Sequence, residues 1–168
     1  ASGASGNVNL TVINQSGLLG TTKLTVSGGS GNDTLSVSDH TQSDISVNAG
    51  AGNDTVIAHA NLSAGDVVNG GEGNDTLAIG VAATAGSSPG VSNFEFLRAD
   101  RVLIQDMSQF TNDADFTRLV SNVADNVAFN NVAASTNELS AISTGANTLT
   151  FDRLVDTPSN ALTLGAFT

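Results

Sequence analysis

The chain has 168 residues, with 16 acidic and 5 basic side chains, a formal net charge of −11, and no cysteine. This excess of acid argues against nucleic acid and anionic membrane surfaces as partners, since both attract basic surfaces, and it suits a protein that binds cations. The absence of cysteine excludes disulfides and thiolate metal sites, and no apolar run is long enough to cross a bilayer, so we expect no membrane insertion.

The first predicted strands precede a glycine-rich stretch. Val8–Val12 alternates apolar and polar residues, as a half-buried strand does, and Leu24–Val26 repeats the pattern. Ahead of them, the opening residues ASGASGNVNL lack an initiator methionine, a basic segment and an apolar segment. They therefore do not form a signal peptide, and we expect the chain to be a fragment that begins within a longer protein.

Three near-identical nonapeptides follow at a fixed spacing. A fixed period of about 20 residues or more indicates structural units that stack on one another. A single such segment would be interpreted as an ordinary turn, but turn formation alone does not explain three copies in register. The copies are GGSGNDTLS (Gly28–Ser36), AGAGNDTVI (Ala49–Ile57) and GGEGNDTLA (Gly70–Ala78), and their aspartates, Asp33, Asp54 and Asp75, stand at one constant interval.

Apolar residues flank each aspartate at positions of one parity, which places them on one face of a strand. The sequence therefore predicts an all-β fold, a parallel β-roll or β-solenoid with about 21–22 residues per coil, in which the glycine loops stack on one edge. Asp66 falls where the other coils have Leu24 and Ile45, so we expect the third coil to shift locally there. The flanking residues are Leu35, Val56 and Leu77 after the aspartates, then Val37, Ala58 and Ile79, and Val26, Val47 and Val68 before them.

The glycine loops stop after about residue 90. Val91–Gln105 is strand-like, and residues 106–122 are predicted to hold a short helix. The pattern of Val127–Val132 returns in Leu149–Leu154, one coil length further along, which indicates that the coil period continues. We therefore divide the chain into a metal-binding β-roll over residues 1–90 and a metal-poor continuation of the solenoid over residues 91–168.

The glycine loops have the composition of a calcium site. Glycine allows positive φ and a close approach of carbonyls to a ligand, and Ca2+ prefers carbonyl and carboxylate oxygens. One loop offers too few oxygens, so we predict two sites between stacked loops, Asp33/Asp54 and Asp54/Asp75, with room for a half-site at either end. The predicted metal-binding residues are Asp33, Asp54, Asp75, Gly29, Ser30, Gly31, Gly50, Ala51, Gly52, Gly71, Glu72 and Gly73.

The nonapeptides resemble the RTX (repeats-in-toxin) motif G-G-x-G-x-D-x-U-x, which binds Ca2+ in a parallel β-roll. The resemblance covers about residues 24–80, and only Ala49 departs from the fixed positions. RTX nonapeptides usually follow one another directly, whereas here a full coil length separates each copy from the next. In that respect, and in the segment VSNFEFLRAD, the chain resembles the C-terminal region of bacterial surface-layer (S-layer) proteins exported by type I secretion.

This resemblance implies a secreted structural protein with Ca2+ as its cofactor. Such a chain stays unfolded in the cytosol, passes through a type I channel and folds at the cell surface, where calcium is abundant. Its folding then drives self-assembly into a surface layer. The partner implied is therefore the chain itself, and a cell-surface polysaccharide is the second partner considered. Two alternatives stay open: a calcium-binding module of a larger secreted enzyme or toxin, and a repeat of an RTX adhesin.

We expect no enzymatic activity. The only histidines are His40 and His59, and there is no HExxH motif. Residues 86–90 match G-x-S-x-G but lie in a Pro/Gly turn rather than in the strand-to-helix turn that this motif requires. Asp113 and Asp115 are interpreted as capping or turn residues, with an extra calcium site as the alternative. For the arginines after residue 90, surface ion pairs are the main interpretation, and docking to an acidic neighbour is the alternative.

Overall fold

The computed structural model describes residues 5–12, 23–38, 44–59, 62–83, 90–110, 116–141, 148–153 and 163–164. Within these residues the chain forms fifteen strands and one 3-10 turn (Met107–Gln109). The strands are β1 (Asn9–Thr11), β2 (Leu24–Ser30), β3 (Thr34–Ser36), β4 (Ile45–Ala51), β5 (Thr55–Ala58), β6 (Val67–Glu72), β7 (Thr76–Ile79), β8 (Val91–Ser92), β9 (Phe96–Ala99), β10 (Ile104–Asp106), β11 (Arg118–Ser121), β12 (Val127–Val132), β13 (Glu138–Ala141), β14 (Leu149–Arg153) and β15 (Thr163–Leu164).

The strands wind into a parallel β-solenoid, which confirms the predicted fold class. The odd-numbered strands form one eight-stranded sheet in chain order, from β1 to β15. The even-numbered strands form the second face in two parts, a four-stranded sheet of β2, β4, β6 and β8 and a three-stranded sheet of β10, β12 and β14. Every pairing described is parallel, as successive coils of one continuous winding require.

Stacked aliphatic side chains explain why the coils keep one register. The residue two positions after each aspartate lies opposite its counterpart in the next coil, and this column continues beyond the glycine loops. Each fully buried Leu or Val contributes roughly 1.5–3 kcal/mol relative to an exposed one. The buried column comprises Leu35, Val56, Leu77, Leu97, Leu119 and Leu139, each at most 1% exposed, with Leu10 and Leu164 at the same register positions in β1 and β15.

The expected shift at Asp66 is wrong. Strand β6 pairs with β4 in the same register as β4 with β2, so that Val68 lies opposite Val47. Asp66 keeps the position of Ile45 because its carboxylate accepts hydrogen bonds from the backbone N–H of Ile45 (2.8 Å) and of Ser63 (2.6 Å). A buried carboxylate with two backbone donors can thus occupy an apolar position without disturbing the coil.

The segment predicted to hold a short helix is described in part. Asp106 caps the 3-10 turn at Met107–Gln109 by accepting the backbone N–H of Ser108, and β11 begins at Arg118. Residues 111–115, which include the acidic pair Asp113 and Asp115, lie outside the described residues. None of the helical structure in the described ranges is long and apolar enough to span a bilayer.

Candidate metal centre

The three glycine loops (residues 28–33, 49–54 and 70–75) connect β2 to β3, β4 to β5 and β6 to β7, and they stack on one edge of the solenoid. The second and fourth residues of each nonapeptide have positive φ, between 110° and 138°. Glycine is required there for space as well as conformation. A Cβ on Gly50 would overlap the carbonyl of Gly29 in the preceding coil, and one on Gly71 would overlap that of Gly50. The sequence thus encodes loops that stack backbone against backbone.

The three aspartates form a continuous buried column. Oδ1 of Asp54 accepts the backbone N–H of Asp33 (2.7 Å), and Oδ1 of Asp75 accepts that of Asp54 (2.8 Å). At the amino-terminal end, Oδ1 of Asp33 accepts the N–H of Val8 (2.7 Å). All three aspartates are at most 2% exposed. One oxygen of each carboxylate therefore has a structural role in holding successive coils together.

The second carboxylate oxygen of each aspartate is buried and has no hydrogen-bond partner. Leaving a buried charged oxygen unsatisfied is costly. Burial raises the pKa of Asp75 to about 6, and the negative charges of Asp54 and Glu95 raise it as well. The hydrogen bond from the Asp54 N–H lowers this pKa, but it does not cancel the increase. Burial likewise raises the pKa of Asp54, and the negative charge of Asp33 adds to the increase. The hydrogen bond from the Asp33 N–H lowers the pKa by a smaller amount. A cation beside these oxygens would remove the penalty.

A main-chain carbonyl comes close to two of these unpaired oxygens. A Cβ on Gly28 would meet both Asp33 Oδ2 and the carbonyl of Ala49 in the next coil. A Cβ on Gly70 would meet Asp75 Oδ2 and the carbonyl of Asn93. The glycine therefore leaves space at a point where a carboxylate and a carbonyl oxygen converge, which is the hard-oxygen environment that Ca2+ prefers. The residues present fit a calcium ion.

The other predicted loop residues lie beside this column. Gly29 is opposite Gly50, which is opposite Gly71, and Ser30, Ala51 and Glu72 form the adjacent row. Gly31 N–H donates to the Ala51 carbonyl and Gly52 N–H to the Glu72 carbonyl, both at 2.8 Å. In the described part of the chain, no three His, Asp or Glu side chains converge on one point. A cation at these loops would therefore be held mainly by main-chain oxygens together with one or two aspartates.

Sequence reasoning missed a ladder of asparagines that runs parallel to the aspartates. The side-chain oxygens of Asn7, Asn32 and Asn53 accept the backbone N–H groups of Asn32, Asn53 and Asn74, each at 2.9 Å. The ladder explains why asparagine precedes aspartate in every glycine loop. It also reveals Gly6-Asn7-Val8 as a degenerate first loop with Val8 in the aspartate position. The Gly6-Asn7 pair in the sequence could have pointed to this first loop. Asn7 lies 25 residues before Asn32, however, which departs from the period of the nonapeptides.

Sequence reasoning also missed Glu95. Its Oε2 accepts the backbone N–H of Asp75 (2.7 Å), the same bond that Asp75 provides to Asp54. Glu95 therefore ends the carboxylate column at the fourth coil. It lies 20 residues after Asp75, one residue short of the period, so a carboxylate next to the expected position was the signal that could have pointed to it.

Of the two histidines considered in the sequence, the structure describes His59, which lies on the edge opposite the glycine loops. His59 Nε2 is 2.9 Å from Asp100 Oδ2, and Arg98 donates two hydrogen bonds to the same carboxylate. Although burial alone would raise the pKa of Asp100, hydrogen bonds from Arg98, His59 and Asn122 lower it. Arg118 pairs with Glu138 (3.0 Å), so these two arginines make ion pairs within the solenoid. His40 and residues 84–89, which hold the serine of the G-x-S-x-G match, lie outside the described residues.

These features define a parallel β-roll with calcium-binding loops stacked on one edge. The family model described as RTX calcium-binding nonapeptide repeat (4 copies) matches residues 25–39, 46–61 and 63–78. The repeat segment of this chain therefore belongs to the RTX family; its ion is Ca2+, and such repeats are typical of secreted proteins. No curated protein and no solved structure matches the chain.

Proposed function

We propose that the chain is a secreted structural protein whose Ca2+-dependent folding drives its self-assembly into a layer at the bacterial cell surface. The proposal that folding depends on Ca2+ rests on the column of three buried aspartate oxygens without hydrogen-bond partners. While these carboxylates are ionised, a fold that buries such oxygens needs a cation beside them to offset the cost of burial. Calcium concentration then decides whether the glycine loops fold.

The residues that would hold the ions are the unpaired Oδ2 atoms of Asp33, Asp54 and Asp75, and the Ala49 carbonyl of the following coil stands beside that of Asp33. Carboxylates one coil apart, at about 4.8 Å, repel each other by about 1 kcal/mol even in bulk water and by more near a protein surface. A bound Ca2+ would supply the positive charge that turns this repulsion into attraction. Low cytosolic calcium therefore favours unfolded glycine loops, and the extracellular concentration favours folded ones.

Exposed apolar side chains support the assembly part of the proposal. Among the described residues, the large apolar side chains that stand exposed are Val67 (42%), Val81 (43%), Val102 (57%) and Ile104 (68%). Val67 and Ile104 begin β6 and β10, and Val81 and Val102 closely follow β7 and β9. All four therefore lie along the edge opposite the glycine loops. We name this set the apolar edge and propose a second copy of the chain as its partner, because apolar surface left exposed in a monomer favours association.

The same calcium chemistry would serve a module of a larger secreted enzyme or toxin, or of an adhesin. In each case this chain is proposed to have a structural role and no catalytic activity of its own. A module of that kind would fold with calcium and stay monomeric. Self-association is therefore the property that separates the proposed function from this second candidate.

The test is a calcium titration of the purified chain, followed by far-ultraviolet circular dichroism and light scattering together. The proposal expects a gain of β signal and the growth of large particles over one calcium range, with Mg2+ as the control ion. The double substitution Val102→Ser and Ile104→Ser should keep the β signal and abolish the particles. A monodisperse folded monomer at saturating calcium would favour the module instead, and no calcium-dependent folding would contradict both.

A further inference from the structure

The fourth coil closes the calcium edge without a glycine loop. Register pairs join Asn69 to Ser92 and Thr76 to Phe96. Between these pairs lie six residues in the third coil (70–75) but three in the fourth (93–95). We call residues 93–95 the junction loop. Its sequence, Asn-Phe-Glu, contains no glycine and does not fit the nonapeptide motif.

The junction loop nevertheless reproduces the chemistry of a glycine loop. Glu95 Oε2 accepts the Asp75 N–H, as an aspartate would. The Asn93 carbonyl approaches the space above Gly70 next to Asp75 Oδ2, as the Ala49 carbonyl does above Gly28 next to Asp33 Oδ2. Asp75 is fully buried, and its Oδ2 has no hydrogen-bond partner.

Asn93 is held in the conformation that directs its carbonyl this way. Its φ is 56°, in the left-handed region that few residues other than glycine and asparagine adopt. Its side chain donates a hydrogen bond of 2.7 Å to Asn69 Oδ1 in the preceding coil. The left-handed conformation takes the place of the positive-φ glycines in the longer loops, so a loop of three residues can present a carbonyl at the same point.

We propose that the junction loop completes a third Ca2+ site, which joins the repeat segment to the coils that follow it. Its ligands are Asp75 Oδ2 and the Asn93 carbonyl, and Glu95 adds a second negative charge beside them. This inference rests on the proposed calcium-dependent folding. The opposite end of the column has Val8 where a carboxylate would stand, so the third site has no equivalent there.

The third site makes calcium a link between two parts of the chain. The Glu95 carbonyl accepts the N–H groups of Thr117 (2.8 Å) and Arg118 (3.1 Å) in the fifth coil. An ion that fixes the junction loop therefore also fixes the residue on which the next coil is built. Calcium binding at Asp75 should thus order the junction loop, which carries no repeat of its own and on which the following coil is paired.

The test counts the Ca2+ ions bound to the full chain by native mass spectrometry, with circular dichroism to verify folding. We expect three ions for the wild type. Asn93→Val should lose one ion, because a β-branched residue strongly disfavours the left-handed region and the carbonyl is displaced. Asn93→Gly keeps the conformation and should keep three ions.

A second pair of variants does not change the backbone. Glu95→Gln keeps a hydrogen-bond acceptor for Asp75 N–H but removes a charge close to the ion, so the weakest binding step should weaken by about tenfold or more. Asp125→Asn makes the same charge change at an exposed residue whose carboxylate bonds to Asn126 N–H, and it should leave all steps unchanged. If Asn93→Val does not fold in calcium, Glu95→Gln decides.

The outcomes separate the two claims. Two ions on a folded wild-type chain, or an unchanged count and unchanged affinities in both Asn93→Val and Glu95→Gln, would overturn the third site and leave calcium-dependent folding intact. A wild-type chain that binds no calcium and gains no β signal would instead contradict the proposed function itself.

Discussion

The solenoid contains two regions that stack their coils in the same sheet but bury different kinds of side chain. In the coils of residues 23–83, glycine loops bring backbones together and bury one aspartate per coil. In the described coils between residues 90 and 153, the glycine nonapeptides are absent and phenylalanine side chains join the buried core. All seven phenylalanines of the chain follow residue 90, and the fully buried ones include Phe94, Phe116 and Phe129. We therefore expect the first region to depend on bound ions and the second on apolar packing that includes these rings.

The comparison shows what each region gains. We expect coils that bury charge to depend on a cation and to respond to calcium, and coils that bury phenylalanine to stay folded without one. Phe110 and Phe116 contact each other edge to face, with centroids 5.2 Å apart, which is a favourable arrangement for aromatic pairs. Because strands of both regions share one eight-stranded sheet, we expect the second region to support the first when it folds with calcium.

Removal of calcium should have the largest effect. With a chelator, hydrogen exchange should accelerate throughout residues 23–83, because the buried aspartates lose their counter-charge, and it should stay slow in β11, β12 and β13. Hydrogen–deuterium exchange followed by mass spectrometry measures both regions in one sample. Uniform exchange along the chain would contradict the division into two regions.

Substitution of a buried phenylalanine should have the next largest effect. Phe129→Ala removes a fully buried ring and should lower the free energy of unfolding by about 3–5 kcal/mol. The loss should be equal at low and saturating calcium, because no ion lies beside the ring. Urea unfolding at two calcium concentrations tests this, and a loss that calcium reverses would contradict it.

Substitution of the aspartates should act on calcium affinity instead. Asp54→Ala should weaken binding more than Asp33→Ala, because Asp54 has aspartates in both neighbouring coils and Asp33 has Val8 on one side. Asp75→Ala should be as severe as Asp54→Ala if the junction loop completes a site. Isothermal titration calorimetry measures the series, and equal affinities in all three variants would contradict the stacked-loop arrangement.

The metal-free chain should gain stability as the pH falls from neutral. Burial raises the pKa of Asp75 from 3.8 to about 6, so the metal-free folded state binds protons more tightly than the unfolded state. Its stabilising contribution is full below pH 4 and is lost as the pH rises through about 6, a change on the order of 1–3 kcal/mol. In a chelator, β signal should therefore increase from pH 7 to pH 4.5. Asp75→Asn, which cannot ionise, should reduce this increase.

The smallest effect is expected at the edge opposite the calcium loops. His59 reaches Asp100 across the intervening coil, and its side chain is 26% exposed. His59→Gln should therefore cost about 1 kcal/mol or less, and the cost should not change with calcium. A thermal denaturation series with and without calcium measures it. A large loss of calcium affinity in this variant would mean that the two edges are coupled.

The sequence predicted the features that repeat and missed those that break the repeat. The aspartate column and the aliphatic columns follow from a constant spacing between the nonapeptides, so Asp33, Asp54 and Asp75 could be placed without a structure. Glu95 was missed because the junction loop is shorter, so neither its spacing nor its composition matches the motif. The consequence of Asp66 was misjudged because a carboxylate was expected to disturb an apolar position, and two backbone donors satisfy it there.

The asparagine ladder shows a different limit. Asn32, Asn53 and Asn74 stand in the sequence as plainly as the aspartates, but their role depends on which N–H group each amide reaches in the neighbouring coil. Only the stacking of coils decides that. Composition alone assigns asparagine to turns, and that assignment does not predict hydrogen bonds between asparagines of successive coils.

The constant register of the buried column of Leu and Val side chains restricts how such a chain can change in length. Leu35, Val56 and Leu77 face one another because each coil begins at the same point of the winding. Insertion or loss of a few residues inside a strand would turn every later apolar side chain away from its neighbours. Duplication of a whole coil would preserve all of these pairings and add one aspartate and one asparagine to their ladders. Genetic variation in a protein of this kind is therefore expected to proceed in steps of one complete winding, with smaller insertions confined to the loops on the edge away from calcium.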